Sequence, residues 1–549
     1  MRIRSTLLAL ACTLMVATPP EMRQGPAPWA PFELGTHHRR TSTRLSAAQA
    51  AFDQGLLWSF AFNHDEAERA FRESARLDPS FALAWWGVAL VNGPHINNPS
   101  LDEAHAKIAW EALAEAKLRI PAAVPVERAL IAALSARYAM PSPADRKALD
   151  EAYAKAMGEV ATRYPKDADV AALYAEALMD VRPWDQWTRG GLPQPGTKEI
   201  LASLQRALAI SPNHPLALHL TIHAYEASPH PERGKAAADR LRSLVPDSGH
   251  LVHMPGHIYA RIGDWQGAAL ANERAIEVDT RYKARQPEIG FYGLYMVHDA
   301  DFLAYTALME GRKEVSLTQT KAVVNAFPLE WVVQNAPFAE AFSTRYWEAL
   351  KRFGMWEELL AEPAPDARLV LATAYWHALR GTAYAASGKP GEALKEQAEF
   401  EAALPKIPAA YTWGSSSASA VMAVSKAYLA GEIAFSQGKV DLAIQHLQEA
   451  AGKEDALNYD EPPPCVIPAR HAMGAVLLSA KRAREAEAVY RADLKAYPGN
   501  YWSLLGLKQS FEAQGRRAEA DQAATRLARA QARAEVKAET SCMCVKAGS

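Results

Sequence analysis

At 549 residues the chain is too long for one hydrophobic core, so several domains or a repeat array is expected. Its 60 basic and 62 acidic residues leave a net charge of −2, without the basic excess of a nucleic-acid binder, and no such partner is expected. Alanine, leucine and glutamate abound, β-branched runs are few, and apolar residues recur with helical period, so the chain reads as all-α.

The first residues, Met-Arg-Ile-Arg, precede an apolar stretch from Ser5 to Ala17 that ends in small residues before Thr18-Pro19-Pro20. A basic start, a short apolar middle and a small-residue end make a secretory signal over 1–17, with export to the periplasm or outside the cell. The stretch is too short to span a membrane, and no transmembrane segment is expected in the mature chain. Cys12 as a lipid-attachment site is the lesser alternative, because few apolar residues precede it. Residues 18–44 are polar and Pro-rich and read as a flexible linker.

From about Leu45 a repeating pattern begins. Gly55, Ala67, Phe71 and Pro79 fall at fixed offsets, and Gly87 opens the next unit. The same spacing returns in Gly256, Tyr259, Ala268 and Ala275, in Gly381, Tyr384 and Ala393, in Gly431, Ala443 and Ala450, and in Gly474, Ala486, Tyr490 and Pro498. These are the small, large and terminating positions of a tetratricopeptide repeat: small residues where two helices cross closely, large ones between repeats, proline at the end. The expected fold is an all-α helical-hairpin solenoid of tetratricopeptide type, a right-handed superhelix with loop insertions. We divide it into N-terminal repeats over 45–180, a central His-rich set over 181–315, C-terminal repeats over 316–535, and a tail over 536–549. The insertions include Gly93 to Pro99, Arg182 to Gly196 with Trp184, Asp185 and Trp187, and Tyr459 to Cys465. They read mainly as connections, although the two tryptophans with Asp185 are placed to wall a pocket.

Eight of the sixteen histidines lie between His214 and His298. His219 with His223 and His253 with His257 are pairs at i, i+4, and the second pair follows the first by 34 residues, one tetratricopeptide period. The segments Phe60 to Ala67, Arg182 to Asp185, Ile222 to Ser228 and His250 to Tyr259 resemble a family of large bacterial tetratricopeptide-repeat proteins. The resemblance covers most of the chain after residue 17 and implies the fold but no reaction. Where that family tends to carry His-Asn-x-His, this chain has His298-Asp299-Ala300-Asp301, which puts Asp301 in place of a histidine.

With Gly256 at position 8 of a repeat, His250, His253 and His257 take positions 2, 5 and 9 of a first helix, and His219 and His223 take 5 and 9 of the preceding one. His298 and Asp301 take 2 and 5 of the following one. Such positions face the concave groove, and side chains at i, i+3 and i+4 share one helix face. Helices packed about 8–10 Å apart bring their imidazoles over one centre. Neutral imidazole is the commonest protein ligand for transition metals, so His219, His223, His253 and His257 are the candidate ligands of copper, zinc or iron, with His250, His298 and Asp301 in reserve. Glu226, one turn past His223, is the candidate general base or the acceptor behind a ligand. His214 and His230, each beside a proline, read as structural. The competing reading is a scaffold whose groove grips a peptide or protein partner.

Nucleophile-elbow, phosphate-loop, His-Glu-x-x-His and dinucleotide motifs are absent. After residue 17 the cysteines are Cys465, Cys542 and Cys544. The Cys542-Met543-Cys544 end reads as a vicinal redox pair, a soft ligand set for Cu(I) or a tail end oxidised after export, with reduced, metal-bound or mixed forms favoured, and Arg529 to Lys537 as a solvated helical face.

Overall fold

The computed structural model describes residues 31–287 and 289–545. The proposed signal 1–17, with Cys12, lies outside them. The chain is built of paired helices, and the extended segments Thr412–Trp413 and Ser416–Ser417 form a short antiparallel hairpin. This is the all-α helical-hairpin repeat fold expected from the sequence. Among the described residues no helix is long and apolar enough to cross a membrane. The chain forms two compact units. The first runs up to Ile258 and includes Arg274–Met296; the second comprises Tyr259–Glu273 and everything from Val297 onward.

In the first unit the repeat logic is visible at Phe71. Its ring lies between Gly55 of the helix Ser46–Phe60 and Gly87 of the helix Ala82–Val91. A Cβ on Gly55 would meet that ring at 2.6 Å, and one on Gly87 at 2.5 Å, so only glycine admits the aromatic there. Side-chain caps start the helices: Asn63 accepts from the Glu66 N–H, Asp102 from that of His105, and Asp167 from that of Val170. The helix Pro215–Glu226 begins with proline in its first turn and is capped by His214. It is apolar on nearly every side, and all its residues but Tyr225 are buried. A helix covered all round must carry its polar groups into the interior, where each needs a partner.

Residues 31–44, part of the expected flexible linker, are instead a fastened strap. Leu34 is buried, Glu33 N–H donates to Asp247, and the Arg39 guanidinium reaches Asp167 and Asp169. Arg39 brings enough charge and hydrogen bonds to fix a stretch whose polarity alone implied disorder.

In the second unit the hairpins Val370–Ala386 with Pro390–Ala403, Ala418–Ser436 with Val440–Glu454, Ala469–Ser479 with Ala483–Ala496, and Tyr501–Ala513 with Arg517–Ala530 follow one another. Tyr490 plays the part of Phe71, packed against Gly474 and Gly506. The tail departs from expectation. The helix ends at Ala530, short of the expected helical face to Lys537, and the segment beyond it is bound into the unit. Ser541 Oγ donates to the His471 carbonyl and accepts from Tyr490, while buried Arg352, stacked 3.6 Å over Trp502, donates to the Ser541 carbonyl. Cys542 and Cys544 are joined as a disulfide rather than reduced.

Candidate metal centre

The first unit supplies two histidine-bearing segments. One is the helix Pro215–Glu226. The other is a helix broken in two, Gly249–His253 and the part of Pro255–Arg261 up to Ile258. Pro255 has no N–H and interrupts the ladder, leaving Met254 as the junction. The second pair still meets across the break: His253 Nε2 lies 2.7 Å from His257 Nε2. The first pair meets in the same way, His219 Nε2 3.0 Å from His223 Nε2.

What stands behind these rings decides their chemistry. His219 Nδ1 lies 2.8 Å from the Phe60 carbonyl, so that nitrogen carries the proton and donates. His223 Nδ1 lies 2.6 Å from Glu226 Oε1 and donates likewise. A neutral imidazole has one N–H, so both Nε2 atoms are then lone pairs, aimed at each other 3.0 Å apart. Two acceptors at that distance repel unless a proton or a metal ion lies between them. Glu226 makes the same contact in the second pair: its Oε2 is 2.6 Å from His257 Nδ1, a separation that requires a proton on the ring nitrogen. One carboxylate therefore orients one histidine of each pair. Carboxylate behind imidazole, with Nε2 forward, is the usual arrangement around a histidine-bound metal.

His250 completes the cluster. Ligand nitrogens of His219, His223 and His250 all lie within 4.8 Å of one another. The His223 and His257 rings are 6.2 Å apart, and those of His250 and His253 6.0 Å. None of the five is more than 4 % exposed, and Glu226 is fully enclosed. The pairs were expected to open into a groove; they are interior instead. The enclosing residues are aromatic. Phe62 packs on His95, His219, His223 and His250, Tyr295 lies 4.3 Å from His250, and Trp184 stands edge-on to His223. Trp187 donates to the Ala224 carbonyl and pins the insertion there. Phe62 and Trp184 both have left-handed backbones, with φ of 56° and 60°, and the described chain has only one other such non-glycine residue, Lys481. Each such residue costs about 1–3 kcal/mol, and two of the three press on the imidazoles.

Burial disfavours the charged form of His219, and the Glu226 carboxylate stays charged. Burial lowers His219 well below its ordinary value, helped by the neighbouring His223. Burial likewise lowers His95 and takes His64 down to about 3. For Glu226 burial acts to raise the pKa, but His257 and His223, by charge and hydrogen bond, outweigh it and hold the carboxyl at about 2. Imidazole nitrogens around one fixed negative charge make a cation site.

Of the seven candidate ligands, His219, His223, His250, His253 and His257 come together in the first unit. His298 and Asp301 belong to the second. His298 is half-buried with its ring on Phe302. Asp301 is already committed: Arg345 Nε lies 3.0 Å from one carboxylate oxygen and 3.1 Å from the other, which argues against the ligand role expected for it. Glu226, expected as a general base or as the acceptor behind a ligand, has both oxygens on histidine ring nitrogens, the second of these arrangements. His214 is structural, as read: it caps its helix through Nδ1 and bonds Asp169 through Nε2. Phe62, His64 and His95 were not singled out. The sequence signals for them were that Phe62 and His64 lie in the Phe60 to Ala67 segment of the resemblance and His95 in the Gly93 to Pro99 insertion.

No protein-family model and no curated protein sequence matches the chain. Among solved structures it is similar to human IFIT1 as a dimer with m7Gppp-AAAA, at 13 % identity and TM-score 0.31, over 90 % of this chain and 91 % of that one. It is also similar to the APC/C hetero-tetramer Cut9-Hcn1, at 12 % identity and TM-score 0.29, over 89 % and 76 %. Yeast Tom70 matches at 12 % identity and TM-score 0.29, over 90 % and 91 %. Scores this low carry no argument about what the chain binds.

Proposed function

We propose that this protein is a helical-repeat scaffold built around a histidine-ligated transition-metal centre. The observation that carries the proposal is the pair of Nε2 atoms of His219 and His223, 3.0 Å apart with both Nδ1 atoms engaged behind them. His250 is the third ligand of that subsite, and His253 with His257 form the adjoining one. Copper, zinc and iron all accept such nitrogen donors. Enclosure by Phe62, Tyr295 and Trp184 suits a firmly held ion and leaves no room for a peptide to grip the imidazoles directly. Turnover at the centre would use an open coordination position. Export through residues 1–17 remains part of the proposal.

X-ray absorption on the disulfide form of the full chain loaded with zinc tests this reading. Nitrogen or oxygen neighbours at about 2.0–2.1 Å with the multiple-scattering signature of imidazole are expected. Sulfur ligation, or failure to take up zinc, copper or iron, would overturn it.

A further inference from the structure

The second unit holds a different cluster. The helix Ala418–Ser436 carries Glu432, 2 % exposed, whose Oε1 is buried with no hydrogen-bond partner. Across from it the tail brings in Cys542 and Cys544, both buried and joined as a disulfide. The two sulfurs and a Glu432 carboxylate oxygen lie within 4.8 Å of one another. Tyr428, one turn earlier on the same helix, puts its hydroxyl 3.9 Å from Cys542 Sγ, and the Lys351 ammonium sits 4.0 Å over the Tyr428 ring. Ser541, held by His471, Tyr490 and Arg352, fixes the tail in this place.

We infer that Cys542, Cys544 and Glu432 form a second metal site, created when the disulfide is reduced, that takes a thiophilic divalent ion of the zinc type. A buried carboxylate oxygen without a donor is costly, and a cation beside it removes the cost. Two thiolates with one carboxylate are an ordinary zinc donor set, with a fourth position left to water. Their sulfurs need stand only roughly 3.8 Å apart in a tetrahedral site with Zn–S bonds of about 2.3 Å, well within reach of adjacent-but-one cysteines. The reaction balances with a dithiol as reductant. The dithiol gives two electrons and two protons to the Cys542–Cys544 bond and becomes a cyclic disulfide, leaving two thiols. Metal binding then releases both thiol protons to solvent and forms two metal–sulfur bonds. Two thiolates, a carboxylate and a divalent ion leave one negative charge, which faces Lys351.

Cobalt(II) is the probe, because thiolate ligation gives an absorption that histidine ligation does not. The metal-stripped full chain is titrated in its disulfide form and, anaerobically, after dithiol reduction and removal of the reductant. One equivalent of thiolate-to-cobalt charge transfer with tetrahedral bands is expected in the reduced form alone, displaced by zinc. Cys544→Ser should abolish it, Glu432→Gln should weaken it tenfold or more, and Cys465→Ser and His223→Ala should retain it. No charge transfer in the reduced parent overturns the inference, and this comparison needs no variant to fold. Persistence in Cys544→Ser, or loss in Cys465→Ser, overturns it equally.

Discussion

Two histidine–carboxylate clusters in the first unit use the same residue types to opposite ends. In one, His37 Nε2 and His214 Nε2 lie 2.9 and 3.0 Å from Asp169 Oδ1, and Arg39 reaches the other oxygen at 2.7 Å. His214 Nδ1 accepts the Ala217 N–H, so both of its nitrogens are in use and its forward atom faces a carboxylate. In the other, Glu226 takes the Nδ1 atoms of His223 and His257 and turns their Nε2 atoms toward neighbouring imidazoles. His214 and His219 are one helix turn and a residue apart, yet one closes a structural network and the other presents a lone pair. Which nitrogen meets the carboxylate, more than the number of histidines, separates a ligand from a strut.

The contrast can be broken most severely at a ligand. His223→Ala should remove most of the bound metal, since it deletes a donor and takes from Glu226 one of its two histidine partners; metal stoichiometry by mass spectrometry measures this. Next comes the strut. Asp169→Asn leaves Arg39 and two histidines without their buried anion and should cost about 3–5 kcal/mol in chemical denaturation, with metal content unchanged. Burial acts to raise the Asp169 pKa, but hydrogen bonds from His214 and His37 and the charge of Arg39 place it well below its ordinary value. A depressed carboxyl stabilises the fold fully above its unfolded pKa and loses that contribution as pH falls toward the folded one. The gap between parent and Asp169→Asn should therefore hold from neutral pH to about 5 and close only below about pH 4.

A smaller effect is expected at Glu226→Gln, which keeps the shape but removes the charge behind two rings. Metal affinity should fall about 10–100-fold, read by chelator competition, with the helical fold intact by circular dichroism. Smallest is His214→Ala, which should cost about 1–3 kcal/mol of stability and leave metal affinity unchanged. A metal loss here as large as that of His223→Ala would erase the distinction between the clusters.

Much of this was legible in residue spacing. Gly55, Phe71 and Gly87 announce the close helix crossing that the structure contains, and the 34-residue displacement of the histidine pairs places them on neighbouring segments. Long-range closure was not legible. The acceptor behind His219 is the carbonyl of Phe60, 159 residues earlier, and no local pattern points to a backbone oxygen that distant. Burial was misjudged for the same reason: positions 5 and 9 of a first helix face a groove only if nothing fills it, and Phe62 and Trp184 come from elsewhere in the chain. Asp301 looked like a ligand in series with histidines because its partner, Arg345, lies 44 residues on. The tail looked like a free end because its anchors, His471, Tyr490 and Arg352, are spread over earlier repeats.

The central claim is that the interior histidines hold an ion, and chelator-dependent melting of the metal-loaded parent tests it most directly. Binding to the folded form alone stabilises by about 2.7 kcal/mol when free metal stands at a hundred times its Kd. Stoichiometric zinc, copper or iron, with a melting temperature that drops on chelation in the parent but not in His223→Ala, is the predicted result. A parent that takes up none of these ions, and melts at the same temperature with and without chelator, would contradict it.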